Sequence, residues 1–360
     1  MTADTAGGVW IYALALCRAL APAGISVRLV ALGDLLPAQR ATAREVGNVE
    51  LVECPVRLEW MSEPWHDLDR LEGELLRQVD VGDCDLVHLN HLVHGHLDWQ
   101  RPVVCAVHSC VLSWFEAVRG ERAPPSWDEY RQRVARSLGA ADHVVAPSRW
   151  MLDRARQLYG PFRAGSVIAN GSDAPLVDPR AGRDGVLAAG RVWDDAKNLQ
   201  PLAAMAERLS APLRIAGPAR SPDGQRVEIG ARRLGNLDQQ RLWASMGRSS
   251  LFVAPALYEP FGLGILEAAR SGCALVLGDI PSLRELWDGA AWFVDPRRPQ
   301  TWQQAVEQLL HDREQRLRYA MAARQRATGY SLERMAQAYL SLYRDTIDLT
   351  AARTAGRKAS

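Results

Sequence analysis

The chain carries almost no excess of either charge: 43 lysines and arginines stand against 42 acidic residues, a net of +1 over 360 residues. Such balance gives no reason to expect nucleic acid or a generally anionic surface as a partner. The arginines between Arg119 and Arg136 share their stretch with Glu116, Glu121, Asp128 and Glu129. They form no clean basic face, so membrane contact is at most peripheral. No apolar run approaches the length of a transmembrane helix and no secretory leader is readable, which points to a cytoplasmic protein. Cysteine is scarce, and Cys17, Cys54, Cys84, Cys105, Cys110 and Cys273 show no paired metal spacing. Lying mostly in apolar stretches, they read as buried reduced thiols. Histidine offers one metal-like cluster: His88, His91, His94 and His96. His88 falls in a strand and Gly95 breaks the rest, so a strand end with a polar wall is expected there rather than a metal. There is no internal repeat and no low-complexity tract.

What is present is alternation. Short β-rich runs alternate with helical stretches throughout, the pattern of doubly wound α/β domains. Strands are expected at Ser26–Leu32, Val49–Cys54, Asp85–Leu89, Val103–Val107, His143–Ala146 and Ser166–Ile168. A second set is expected at Gly185–Ala189, Leu213–Ala216, Leu251–Ala254, Ala274–Leu277 and Ala291–Val294. Their near-continuous Val, Leu and Ile content marks strands buried on both faces. Between the sets, Asn170 to Gly182 is turn-rich and without periodicity, as a linker is. The expected organisation is a Rossmann-like first domain over residues 1–172, a linker over 173–184 and a second Rossmann-like domain over 185–331. A helix over 332–349 follows, carrying Met335, Tyr339, Leu342 and Tyr343, and residues 350–360 are expected to fray.

The most informative stretch is Leu257–Gly272, LYEPFGLGILEAARSG. Pro260 and Gly262 punctuate a turn, and Ile265, Leu266 and Ala269 give helical spacing on the core side. Gly272 stops the helix where a left-handed cap is expected. The helix starts near Phe261 to Leu263, and its first N–H groups have no partner within it. Those donors, backed by the helix dipole, suit a phosphate or a sugar hydroxyl. Glu259 sits at the mouth of the turn and Glu267 about two helical turns further along. Two other segments follow strands in the same way: Gly190-Arg191…Lys197-Asn198, and the glycine loop Gly7-Gly8 before the helix at Val9. Ligands of open α/β folds bind at the carboxyl ends of the strands, so all three segments are expected to open into one cleft between the two domains.

Leu257–Gly272 resembles the Glu-x7-Glu signature of retaining glycosyltransferases of the GT-B fold, the glycosyltransferase family 4 (group 1) type. Gly190–Asn198 is similar to the family's diphosphate segment, and Asp4–Val9 to its N-terminal glycine loop. The resemblance implies two doubly wound domains facing across a cleft, with the C-terminal helix crossing back to the first. It implies a nucleotide-diphosphate sugar as donor, with Glu267 on the ribose hydroxyls and Glu259 on the donor sugar. Phe261, Gly262 and Leu263 would help to hold sugar and phosphate, Gly190 would line the diphosphate segment, and Gly7 and Gly8 would meet the donor. His108, after the strand Val103–Val107, would touch a sugar hydroxyl. A diphosphate gathers negative charge as it leaves, so cations held there stabilise the transition state selectively. Arg191 and Lys197 are those cations. No Asp-x-Asp metal clip accompanies them, and neither metal nor cofactor is expected.

The expected activity is transfer of a hexose to an unidentified acceptor, a saccharide, a lipid-linked sugar or a small molecule, with retention at the anomeric carbon. A phosphorylase, a sugar-nucleotide synthase or a catalytically silent sugar-nucleotide-binding protein would use the same residues. The start departs from the family's pattern. The glycine loop arrives after Met1-Thr2-Ala3, too few residues for a strand of usual length. A truncated first strand, and a natural start several residues upstream, are therefore expected.

Overall fold

The computed structural model describes residues 1–82, 84–221 and 224–358. It comprises two compact units. The first holds Met1–Glu116, Glu121–Gly171 and the C-terminal segment from Leu332; the second holds Ala117–Gly120 and Ser172–Ser331.

In the first unit every strand pairing is parallel. Strands β1 (Thr2–Asp4), β2 (Val27–Leu32) and β3 (Val49–Cys54) form one sheet in that order. Strands β4 (Val87–Leu89), β5 (Val103–Ala106), β6 (His143–Ala146) and β7 (Gly165–Val167) form another. The first strand is short, three residues long: Thr2, Ala3 and Asp4 pair with Val30, Ala31 and Leu32. Flanking bonds lengthen the ladder, with Val30 N–H donating to Met1 O at 2.8 Å and Thr5 N–H to Leu32 O at 3.0 Å. Thr2 and Ala3 are buried. Helix Gly8–Leu20 lays Ala13, Leu16, Cys17 and Leu20, all fully buried, into the core at helical spacing.

The C-terminal helix, Leu332–Lys358, returns to this unit. The Tyr339 ring lies 6.3 Å from Tyr12 and 5.2 Å from His88, and Tyr343 Oη is 2.6 Å from His88 Nδ1. The expected fraying from residue 350 is corrected: the helix runs to Lys358, while residues 359 and 360 lie outside the described part. Ala351 and Ala352 are strong helix formers, and the Thr346 and Thr350 hydroxyls bond back to Leu342 O and Thr346 O. No helix among the described residues is long and apolar enough to cross a membrane.

Among the described residues the second unit has six parallel strands: β8 (Val186–Ala189), β9 (Leu213–Ala216), β10 (Arg232–Gly235), β11 (Leu251–Ala254), β12 (Ala274–Gly278) and β13 (Trp292–Val294). Their order is β10-β9-β8-β11-β12-β13. Numbered from β8 this is 3-2-1-4-5-6, the doubly wound order whose switch point falls between the first and fourth strands. That point lies between β8 and β11, which are hydrogen-bonded neighbours. β10 escaped expectation because Arg232 and Arg233 break its apolar character; it is an edge strand, where charge is tolerated. Val186, Leu251, Val253, Ala274 and Val276 form the dry centre of this unit.

Candidate functional site

The loops that leave β8 and β11 at the switch point are tied together. On its other side β8 is tied to β9: Gly190 N–H donates to Ala216 O at 3.0 Å, and these two strand ends run so close that a Cβ on Gly217 would lie 1.9 Å from Gly190 O. Gly217 also has φ +132°, so only glycine fits. The chain then makes a short turn over Asp195–Lys197, capped by Asp194, whose Oδ1 accepts from Ala196 N–H at 3.0 Å. The other oxygen of Asp194 accepts from Arg191, from Nε at 3.1 Å and Nη2 at 2.5 Å. Burial would raise the Asp194 pKa, but the charges of Arg191 and Lys197 and the hydrogen bonds from Arg191 and Ala196 hold it below the ordinary value. Arg191 also stands 5.3 Å from the centre of the Trp193 ring.

The turn ends at Asn198, a non-glycine residue in left-handed conformation (φ 52°, ψ 39°). Its Nδ2 donates to Pro255 O at 3.0 Å and to Pro296 O at 2.8 Å, which fastens the turn to the loops beyond β11 and β13. Leu257 N–H reaches back to Ala196 O at 2.9 Å. In this frame Lys197 Nζ donates to Glu259 Oε2 at 2.5 Å, and both side chains remain partly exposed. Ser282 Oγ holds the Glu259 carbonyl at 2.7 Å.

Three residues after Glu259, Gly262 starts the helix Leu263–Arg270 from φ 86°, ψ 70°. A Cβ there would lie 2.7 Å from Ile265 Cδ1 and 3.2 Å from Glu259 Cγ, so glycine sets both the turn and the approach of Glu259. Phe261 is buried edge-on against Tyr330, with ring centres 5.7 Å apart. The helix's first N–H groups, at Leu263 and Gly264, have no acceptor within it. Glu267, in the second turn, is only 5% exposed, and its Oε1 accepts from Gln239 Nε2 at 3.3 Å. Burial pushes its pKa up to about 7, against the lowering effect of Trp243 and Gln239, and Asp173 adds to the rise.

The expected residues thus fall into two groups. Gly190, Arg191, Lys197, Glu259, Phe261, Gly262, Leu263 and Glu267 share the switch point of the second unit, whereas Gly7, Gly8 and His108 belong to the first. Gly7 (φ 123°, ψ −141°) precedes the first turn of the helix from Gly8. The His108 ring, half-buried beyond β5, donates Nε2–H to Asn90 Oδ1 at 2.7 Å and meets Tyr12 edge-on at 4.4 Å. Burial pushes its pKa down to about 4, so the ring is neutral at pH 7. Of the clustered histidines, His91 and His94 are satisfied within the fold, whereas His88 Nε2 and His96 Nδ1 are buried without a hydrogen-bond partner among the described residues. His94 Nε2 donates to Leu68 O at 3.0 Å, so His94 Nδ1 accepts from His91 at 2.5 Å, and His91 Nδ1 accepts from the Thr2 hydroxyl at 2.9 Å. His88 meets Tyr343, and His96 meets Arg136 at 2.6 Å. Among the described residues no group of three His, Cys, Asp or Glu side chains converges on a metal position. All six cysteines are free.

Asp194, Gln239 and Ser282 were missed by sequence reasoning, and Asn198, named as the end of the diphosphate segment, was given no role of its own. Asp194 stands two residues before the amide it caps, and asparagine tolerates left-handed backbone, so those two left a local signal. Gln239 and Ser282 act across the fold and left none.

Two family models match the chain: Glycosyltransferase Family 4 over residues 6–174, and Glycosyl transferases group 1 over residues 226–326. A glycogen synthase of Mycobacterium tuberculosis is 34% identical over 209 residues, 52% of this chain and 50% of that protein, so the chain spans about half its length. A D-inositol 3-phosphate glycosyltransferase of Salinispora arenicola is 25% identical across 95% of this chain and 88% of its own. In fold, the chain is similar to a sucrose-phosphate synthase from Thermosynechococcus elongatus, with TM-score 0.76 and 19% identity over 98% of this chain and 96% of that one. It is also similar to HepE of Anabaena, solved in complex with UDP-glucose, with TM-score 0.75 and 17% identity over 96% and 98% of the two chains.

Proposed function

The chain belongs to the glycosyltransferases of family 4 and group 1, with the GT-B fold, and on that premise we propose that it moves a hexose from a nucleotide-diphosphate sugar to an acceptor hydroxyl. The observation that carries the reading is the meeting of Arg191, Lys197 and Glu259 beside the helix start at Gly262, with the buried carboxyl of Glu267 in the second turn of that same helix. Cations, free N–H groups and hydroxyl acceptors are together what a sugar diphosphate requires.

In the proposed reaction the bond from the sugar's anomeric carbon to the diphosphate oxygen breaks, and a bond to the acceptor oxygen forms. The electron pair leaves with the diphosphate, where Arg191 and Lys197 stabilise it. The acceptor's proton passes to the departing phosphate, so no enzyme nucleophile is needed and attack from the same face retains configuration. Arg191 and Lys197 supply the positive charge that a divalent ion supplies elsewhere, and the reaction runs without metal. Glu259 accepts from the donor sugar's hydroxyls and Glu267 from the ribose. In the first unit, Gly7 and Gly8 offer backbone to the donor, and His108, neutral at pH 7, offers Nδ1 as acceptor to a sugar hydroxyl. The family's named members and neighbours, among them HepE with UDP-glucose, support a nucleotide-sugar donor.

Thermal-shift screening with UDP-glucose, GDP-mannose and ADP-glucose should find one that stabilises the protein, by the linkage of binding to folding. That donor should then be hydrolysed slowly when no acceptor is present. Binding without any hydrolysis would turn the reading to a catalytically silent sugar-nucleotide binder.

A further inference from the structure

The second unit shows two partly exposed site charges spent on each other. Lys197 Nζ and Glu259 Oε2 are 2.5 Å apart, with side chains 23% and 18% exposed. The pair is not incidental to loop packing. Asn198 fixes the lysine's turn through Pro255 O and Pro296 O, Ser282 fixes the Glu259 carbonyl, and Gly262 lets the Glu259 side chain close in. The loops have these anchors and the Leu257 N–H to Ala196 O bond apart from the ion pair, so the two side chains can separate without unfolding their loops. The cation is a lysine in a chain that has only two, Lys197 and Lys358, among its 43 basic residues. An arginine would grip a carboxylate as a planar fork, whereas lysine is a single mobile charge that exchanges one anion for another.

We propose that the Lys197–Glu259 pair fills the donor site at rest, and that Glu259 thereby selects intact sugar nucleotide over the spent nucleoside diphosphate. The inference rests on the donor-site reading above. A diphosphate that takes Lys197 strands the Glu259 carboxylate, partly buried and without its cation, which opposes binding. An intact donor brings sugar hydroxyls that donate to Glu259 and make good the loss. Once the sugar has moved to the acceptor, those hydroxyls are gone. Glu259 then recaptures Lys197 and the nucleotide departs. One carboxylate thus serves donor selection before the reaction and product release after it.

The test compares nucleotide affinities in the full-length protein by calorimetry, using whichever of the pairs UDP and UDP-glucose, GDP and GDP-mannose, or ADP and ADP-glucose binds. Wild type should hold the intact donor about tenfold or more tighter than its nucleoside diphosphate. Glu259→Gln, which keeps shape and removes charge, should bind the nucleoside diphosphate more tightly than wild type, about threefold or more, because Lys197 is freed. A merely structural role for Glu259 would weaken binding or leave it alone. Glu259→Ala should show the same tightening, and serves if Glu259→Gln fails to fold. Equal or weaker nucleoside-diphosphate binding in the folded variant overturns the inference while leaving the donor site standing. Failure of all three pairs to bind wild type overturns the donor-site reading and this inference together.

Discussion

Asp194 holds the Arg191 guanidinium on a single carboxylate oxygen, 3.1 Å from Nε and 2.5 Å from Nη2, while its other oxygen caps the turn that presents Lys197. One buried acid therefore positions both cations. Asp194→Asn can still cap Ala196 N–H but no longer anchors the guanidinium with a full charge. It should lower kcat by about tenfold, the size expected when an oriented charge contact is loosened, with a smaller change in donor KM. Steady-state kinetics at saturating donor decide it, and a loss confined to KM would mean that Arg191 serves binding alone.

Lys197→Ala should cut turnover by about tenfold or more with the fold intact, since a lost transition-state charge contact costs a few kcal/mol. Lys197→Arg should restore little, because a fork in place of a point charge holds Glu259 too firmly and reaches the phosphate differently. Turnover should also persist in EDTA. Loss in EDTA with rescue by magnesium or manganese would show that the two cations do not carry the leaving group's charge by themselves.

The strands of both units were legible because apolar β runs alternate with helical stretches, and the loops bearing the charges were legible because Pro260, Gly262 and Gly190 punctuate them. Pairing was not legible. Lys197 and Glu259 lie far apart along the chain, and no periodicity says that a turn after β8 meets a turn after β11. The shortness of strand β1 was legible in the few residues before the glycine loop, but its pairing of Thr2–Asp4 with β2 was not. Strand β10 was hidden by its arginines, and the helix beyond residue 349 by small residues that suit a tail and a helix equally.

Asn198 offers a test of the scaffold apart from the chemistry. Asn198→Gly keeps the left-handed backbone but loses both hydrogen bonds, whereas Asn198→Ala loses the bonds and adds strain at φ 52°. Each hydrogen bond contributes about 1 kcal/mol, and a side chain in that region costs about another. Alanine should therefore destabilise more than glycine, and both should lower kcat more than donor affinity, because Lys197 is the next residue. Denaturant unfolding beside kinetics separates the two effects. Equal stability for the two variants would show that backbone strain plays no part.

Glu267 ties the site to pH. Its folded-state pKa is pushed up to about 7, first by burial, above the ordinary glutamate value of about 4.3 in an unfolded chain. A group raised in this way contributes stability that is fully present below pH about 4.3 and is lost as pH rises through 7. Over that window the unfolded chain has released the proton while the folded one still holds it, so stability falls by as much as about 1.4 kcal/mol per pH unit from this group. Glu267→Gln keeps the neutral form at every pH and removes that slope. Melting temperatures taken from pH 5 to pH 8 should fall more steeply in wild type than in the variant, with the two curves diverging as pH rises. The same substitution should weaken binding of the nucleotide and of the intact donor alike, because ribose is common to both. Parallel melting curves would mean that Glu267 is ionised in the folded protein throughout. It would then be hydrated or paired in solution, which conflicts with its burial against Gln239 at the switch point.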